Sequence, residues 1–570
     1  MNRREILTAL PVALVATSAV AAEPSRPLSA RGEANLTAYA RLIAYVRFFH
    51  PSDEAAATDW NAFVVSNVEA VEAAATPAEL VQRLDAVFRP IAPTMTLGLA
   101  GKAAPAVTPP TGPGTLVMWK HRGVGLPSPK PNPTYRSQRI PVPDGQPKVV
   151  KLDLGGGVVG AMPTTAYSAL DAKPPTPTPV NAFSGDDRKV RLANVMIAWG
   201  VLQHFYPYFD AVDCDWNAEL SKALRAAATD PDASRFRVTL AHMVAALHDG
   251  HGNVNSRQPL TILPVGWSWI EDRLVITALP ADAPPGLAVG GVVMRIDGVD
   301  IRDRVAELET EACAATPQWR RFKALQLLQR RRDGSPALLE GEAPDGKPFK
   351  VQLTGGAPEA TRGLDPRLAR ANFSEPRPGV LYVDLARVTE QDLTDKMAQL
   401  VAAKGVVLDD RGYPTNPAHK LVQHFSDRTV RSSRFDLPTF TAPDRRNVTY
   451  EDVSWTLAPT APRLSARLVL LTGGGSISYA ESWAGVFENE RFGAIVGGPT
   501  AGTNGDINWM MLPGGYSFIF TGLRVTKPDG SRHHGVGIIP TVPVSQTLAG
   551  VRAGRDEVLE RGVAVALGEA

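Results

Sequence analysis

Leu468 to Asp506 reads LVLLTGGGSISYAESWAGVFENERFGAIVGGPTAGTNGD. The apolar run Leu468 to Leu471 has the length and composition of a buried strand. Gly473, Gly474 and Gly475 break it. Ser476, Ser478 and Glu481 follow, and then Tyr479, Trp483, Val486 and Phe487 recur at helical spacing. The predicted order is strand, tight turn, helix. A serine at that junction sits among unpaired N–H groups at the positive end of the helix dipole. Two roles suit it. It can cap the helix through its hydroxyl, or it can be an acyl-transfer nucleophile, whose oxyanion would be held by the N–H of the next residue.

Around this stretch the chain alternates strand and helix from about Pro366: Gly379 to Leu385, Gln391 to Ala403, then Gly405 to Asp409. That alternation predicts an α/β unit over 366–570. Asp409-Asp410-Arg411-Gly412-Tyr413-Pro414 is its first tight turn. The strands end in His533-His534-Gly535-Val536-Gly537-Ile538-Ile539-Pro540, and a helix closes the chain from about Gly554.

Gly-Ser-x-Ser-x-x-Glu at 475–481, followed by Val496-Gly-Gly-Pro-Thr-Ala-Gly-Thr-Asn-Gly505, resembles the active-site stretch of the tail-specific (C-terminal-processing) serine protease family. That family includes the tricorn core and the retinoid-binding proteins. The resemblance implies a multidomain α/β protein with a crotonase-like, ClpP-type catalytic core. It implies Ser478 as nucleophile and the amides of Gly412 and Tyr479 as the oxyanion hole. In the tail-specific branch a lysine is the base, in a Gly-x-x-Thr-x-Gly-Lys-Gly loop, and Thr503 stands in its place here. The chain is therefore closer to the tricorn and retinoid-binding branch, where a base must come from elsewhere.

Histidine suits a general base near neutral pH. The family's histidine-using members carry it at the end of a helical segment, and His251 in Leu247-His248-Asp249-Gly250-His251-Gly252 matches that location. His248 and His534 are the next candidates. His534 stands near an orienting glutamate of the tricorn branch and is expected to support the site. Glu481 is expected to be structural. A rival reading takes His248-x2-His251 with His533-His534 as a zinc site, but the spacing matches no strong zinc pattern. No metal or cofactor is implied.

The segment that holds His251 occurs twice. Phe49-His50-Pro51 with Trp60-Asn61-Ala62 recurs as Phe205-Tyr206-Pro207 with Trp216-Asn217-Ala218, both 156 residues on. This predicts duplicated helical units over 23–99 and 185–257. Only the second ends in histidines; at the same offset the first has Ala92-Pro93-Thr94-Met95. Between them, 100–184 reads as a small β-domain ending in a Pro-rich linker, Lys173 to Phe183, and Lys120-His121-Arg122 reads as a solvated strand end. Residues 258–357 resemble a PDZ-like domain, carried by Leu263-Pro-Val-Gly-Trp267 and Gly290-Gly-Val-Val-Met-Arg-Ile-Asp-Gly298.

The remaining features bound the setting. A chain of 570 residues exceeds one core. Its net charge of +2 gives no nucleic-acid footprint. Residues 1–22 have the basic, apolar, small-residue order of a signal peptide, with Arg3-Arg4 loosely like a twin-arginine signal. Export, most simply to a periplasm, is the expectation, with cleavage near Ala22 or Glu23 and no stable membrane insertion of the mature chain. Cys214 and Cys313 could pair or stay free. The function expected is an exported serine-type endopeptidase acting on peptide or protein substrates, with oligomeric state open. The alternative is a weak or inactive peptide- or ligand-binding protein on the same scaffold.

Overall fold

The computed structural model describes residues 25–102, 106–107, 110–126, 132–171, 176–332, 334–361 and 363–569. The predicted signal peptide and the start of the linker, Lys173 to Pro175, lie outside these residues.

The two helical units repeat in detail. Ala30–Phe49, Trp60–Glu72 and Pro77–Phe88 are followed 156 to 158 residues later by Arg188–Phe205, Trp216–Thr229 and Ala233–Ala245. The N-caps recur too: Asp59 with Asp215 and Thr76 with Asp232, each carboxylate or hydroxyl accepting from an N–H of its own first turn. Neither copy has a private interior. Leu36, Tyr39 and Val64 of the first share one core with Val195, Trp199 and Leu224 of the second. Each such apolar side chain contributes roughly 1.5–3 kcal/mol by leaving water. A buried ion pair, Arg188 to Glu72 at 2.7 Å, joins the copies.

The stretch between the copies is not a self-contained β-domain. Val158–Pro163 pairs with Thr96–Leu99 of the first copy on one side and with Val149–Gly155 on the other. Thr115–Arg122 pairs with Arg136–Pro141 on one side, but His121 and Arg122 pair with Phe440 and Thr439 of the strand Arg434–Phe440. Its ladder is completed by a segment some 300 residues away, a partner that local pattern cannot show. For the same reason His121 is no solvated strand end. It is 2% exposed, donates from Nε2 to the Phe48 carbonyl, accepts at Nδ1 from the Ser137 hydroxyl, and packs among Phe48, Phe49 and Phe205.

In the third unit an antiparallel sheet runs in the order Pro348–Leu353, Ala337–Glu342, Val292–Ile296, Arg273–Ala278, Gly266–Ile270. Ile301–Glu311 and Pro317–Leu328 are its helices. The C-terminal unit is a sheet in the order Phe373–Arg377, Val380–Asp384, Gly405–Asp409, Arg467–Thr472, Gly493–Gly497, Val542–Pro543, parallel except at the first strand. Both faces are covered. Leu381, Val406, Leu408, Leu468 and Leu470 pack with Trp483 and Phe487 of the helix Tyr479–Glu490. Their neighbours in sequence, Tyr382, Val407, Val469 and Leu471, face Val558, Leu559 and Val563 on Glu557–Leu567. Period-two side chains buried on both sides explain why these strands read as continuous apolar runs. Cys214 and Cys313 are free thiols.

Candidate active site

Ser478 lies past the carboxyl end of the sheet's fourth strand, in the crevice where open parallel sheets bind ligands. It occupies the N-cap position of Tyr479–Glu490, but its hydroxyl makes no capping hydrogen bond. The backbone there has φ +60° and ψ −112°, a strained conformation for a residue with a side chain. It is held by the Ser478 N–H, which donates to the Thr503 carbonyl at 3.0 Å. A half-buried, uncommitted hydroxyl on a strained turn is poorly explained by capping.

The neighbouring turn, Asp410 to Gly412, is tied to this one. The Asp410 N–H donates to the Leu471 carbonyl at 3.0 Å, and the Ser476 hydroxyl donates to the Asp410 carbonyl at 2.8 Å. Gly412 and Tyr479 therefore sit on two loops locked together, and among the described residues neither N–H has a backbone partner. A side chain at 412 would meet Ala386 and Arg367 at 2.7 and 2.9 Å, so glycine is required there. Asp409 is held by Arg411 at 2.7 Å, and these charges depress its pKa to about 2 despite burial. Asp410 points elsewhere: it is fully buried without a hydrogen bond, and burial, with Asp409 and Glu481 nearby, raises its pKa well above the carboxylate range.

Glu481 is structural in a specific way. It is fully buried, and its carboxylate accepts from the Thr500 hydroxyl at 2.5 Å and from the Gly502 and Thr503 N–H groups at 2.7 Å each. It thereby pins the loop whose Thr503 carbonyl holds Ser478. His533 Nε2 lies 3.4 Å from the same carboxylate. Thr503 is also a spacer toward the second helical copy: a Cβ on Gly250 would lie 2.1 Å from its hydroxyl oxygen. Only glycine lets the Asp249–His251 turn approach so closely.

His251 reaches the site through strand pairing. Asn253–Asn255 pairs antiparallel with Tyr516–Thr521, Asn253 opposite Ile519, and this register continued by two residues sets His251 opposite Thr521. His251 Nδ1 lies 2.8 Å from the Thr521 hydroxyl, which lies 2.6 Å from Asp249 Oδ1. Asp249 is fully buried and also accepts from the Thr521 and His251 N–H groups at 2.6 and 3.0 Å. A carboxylate only accepts, so the single Thr521 proton goes to Asp249 and the hydroxyl accepts from His251. The proton of neutral His251 is therefore on Nδ1, and Nε2 carries a lone pair with no partner. Burial, opposed by Asp249, lowers the His251 pKa. In this state Ser478 and His251 are not hydrogen-bonded to one another.

The other histidines go elsewhere. His534, expected to support the site, stacks on Tyr208 with ring centroids 4.2 Å apart, and hydrogen-bonds neither His251 nor Ser478. Burial lowers its pKa to about 4, leaving a neutral flat wall. The hydrogen bonds of the His251 ring run to Thr521 and through it to Asp249. His248 turns to Arg320 at 3.3 Å. Among the described residues no group of three or more His, Cys, Asp or Glu could hold a metal ion.

Asp249 sits within the histidine turn and was legible as a nearby carboxylate. Thr521 carried no signal, since only sheet register brings it there. Nor did the helix Pro317–Leu328, which braces the site from the third unit. Gln318 donates to the Thr500 carbonyl at 2.6 Å, Trp319 donates to the Gly250 carbonyl at 2.8 Å, and Phe322 packs within 2.9 Å of where a Gly475 side chain would be.

Residues 379–544 match the model of Peptidase family S41. This segment includes Ser478, Gly412 and Thr521; His251 lies before it. No curated protein sequence matches the chain. Among solved structures, mature CPAF complexed with lactacystin is 14% identical with a TM-score of 0.56, over 66% of this chain and 98% of that one. Mature CPAF in another structure is 14% identical with a TM-score of 0.53, over 66% and 96%. The photosystem II D1 C-terminal processing protease is 18% identical with a TM-score of 0.37, over 62% and 92%. The family match, on a fold shared with CPAF, supports a serine peptidase, and with it peptide or protein substrates. Among the described residues no helix is long and apolar enough to cross a membrane.

Proposed function

We propose that the chain is an exported serine endopeptidase that uses Ser478 as nucleophile and His251 as general base, in a core of the lysine-free branch of its family. The observation that carries this reading is the directed relay His251 Nδ1–H to Thr521 to Asp249, which leaves Nε2 bare. A histidine committed at both nitrogens would be structural; this one keeps one nitrogen for a proton. The unspent, strained Ser478 hydroxyl supports the same reading.

Ser478 Oγ attacks the peptide carbonyl carbon as His251 Nε2 takes its proton, and the carbonyl electrons move onto oxygen. The Gly412 and Tyr479 amides face that oxyanion. His251 then gives the proton to the leaving amine, and water, deprotonated by the same nitrogen, releases the acyl group. The positive charge passing through the imidazole lies one hydroxyl away from Asp249. Thr503 cannot serve as base, because a hydroxyl is not basic near neutral pH. The PDZ-like unit presents its Pro317–Leu328 helix to the site, and His534 lines it without taking a proton.

The second reading, a binding protein on this scaffold, draws on one observation: the Ser478 and His251 side chains are not joined in the resting state. Fluorophosphonate labelling separates the two. Labelling of the purified protein that disappears in Ser478→Ala and falls sharply in His251→Ala is the expected result. Absence of labelling, or equal labelling of Ser478→Ala, leaves the binding protein.

A further inference from the structure

A cavity of about 240 Å³ opens beside the nucleophile turn, bounded by Ile477 and His251 at one end and by Arg237, Glu311 and Arg330 at the other. A second cavity, of about 420 Å³, shares Arg237, Glu311, Leu327 and Arg330 with it and adds Arg331 and Arg332. The two form one path between the second helical copy and the third unit.

The charges on this path do not balance. Arg237 pairs with Glu311 at 2.6 Å and Arg331 with Asp297 at 2.7 Å. Lys323 spends its ammonium on the Gly252 and Cys313 carbonyls at 2.5 and 2.7 Å. Among the described residues Arg332 has only the Ser256 hydroxyl, at 3.3 Å. Arg330 has no side-chain hydrogen bond and no ion pair among the described residues. Burial and the facing Arg237 both lower the pKa of Arg330, and the same causes act on Arg332. Both guanidinium groups are half withdrawn from water, Arg330 with no carboxylate partner among the described residues and Arg332 with only the influence of the Glu311 that Arg237 already pairs, and such an excess of positive charge is costly. Such an arrangement is sustained most simply when an anion visits it.

We infer that this path is a substrate subsite for a carboxylate, read by Arg330 with Arg332, at the His251 end of the peptide-binding crevice. A guanidinium fork matches a carboxylate with two parallel hydrogen bonds. The cavity has room for an amino-acid side chain or a chain end, with Ile477 and Trp319 offering apolar walls. The carboxylate has two sources, an Asp or Glu side chain near the scissile bond or the C-terminus of the peptide. This inference rests on the peptidase reading above.

The test uses the full mature chain on a proteome-derived peptide library, with cleavage sites identified by mass spectrometry against Ser478→Ala as blank. Peptides from the cleaved set are then remade with each carboxylate replaced by its amide, and kcat/KM is compared within each pair. The expected result is a preference for the carboxylate of tenfold or more that falls at least tenfold in Arg330→Gln and is partly restored in Arg330→Lys. Loss on amidating only the C-terminus assigns the chain end; loss on Glu→Gln or Asp→Asn assigns the side chain. A wild-type ratio near one overturns the inference by itself while the peptidase reading stands, even if Arg330→Gln does not fold. A ratio that Arg330→Gln leaves intact also overturns it. Absence of any Ser478-dependent cleavage removes both.

Discussion

The two helical copies end in the same way structurally and in opposite ways chemically. In the first, Thr96–Leu99 follows the last helix and pairs with Val158–Pro163. In the second, Asn253–Asn255 follows at the equivalent place and pairs with Tyr516–Thr521 of the C-terminal unit. The first copy spends its histidine internally: His50 Nδ1 and Nε2 lie 2.9 and 3.0 Å from the Ser52 and Thr94 hydroxyls, both ring nitrogens committed. The second has Tyr206 at that position, whose hydroxyl donates to the Leu247 carbonyl at 3.0 Å. Its His251 lies past the last helix, on a glycine-flanked corner, with one nitrogen unspent. The helices thus serve as scaffold in both copies. What differs is the partner of the following strand, and in the second copy that partner brings Thr521 to His251.

The comparison breaks most visibly at the proton-transfer pair. Ser478→Ala is expected to abolish turnover and labelling, and His251→Ala to cut turnover on the order of a hundredfold or more. His50→Ala, in the first copy, should cost stability and leave labelling of the folded protein in place. Equal loss from His50→Ala and His251→Ala, at matched folded fraction, would erase the distinction between the copies.

A smaller effect isolates the strand partner. Thr521→Val keeps shape but cuts His251 from Asp249, and should lower kcat by about tenfold to a hundredfold with KM little changed, since the group acts through the imidazole. Thr521→Ser should restore most of it. An effect on KM alone would mean that Thr521 touches substrate instead of positioning the base.

The pH dependence separates the copies again. As the proposed base His251 would act only when neutral, and its pKa is lowered, so kcat/KM should hold down to about pH 6.5 and fall below it. In the first copy and its surroundings, burial holds His50 and His121 at about 4. Their depressed folded values mean that stability is complete above about 6.5, the unfolded value, and is lost as pH falls from there toward about 4. Thermal melts of Ser478→Ala should decline over that window. A melt independent of pH between 7 and 4 would contradict the burial of these rings.

The smallest effect is the control for Thr521. Thr94→Val removes the equivalent internal partner from His50 and should cost about 1 kcal/mol in a denaturant titration. Turnover should not change. A fall in kcat would show that the first copy communicates with the site.

Much of the C-terminal unit was legible because its signals are local. The apolar run before Gly473, the helical spacing after Ser478 and the alternation from Pro366 all lie within a few residues of what they determine. The duplication was legible for the same reason, since helix caps and aromatic corners repeat as text. Even His251 could be named from its turn. By contrast, the middle strands read as a separate β-domain because the sequence does not record that Thr115–Arg122 completes its ladder with Arg434–Phe440.

The sequence by itself determined which residues could do chemistry: a serine on a glycine turn and a histidine on a corner. Tertiary structure alone decided which groups surround them. Antiparallel register set Thr521 opposite His251 and so fixed the imidazole tautomer. Stacking on Tyr208 took His534 out of the relay. Packing of the third unit against the second copy left Arg330 on a cavity beside His251 with no ion pair among the described residues. Each of these depends on contacts between segments far apart in the chain, where direction and distance are set by register and packing and leave no local pattern to read.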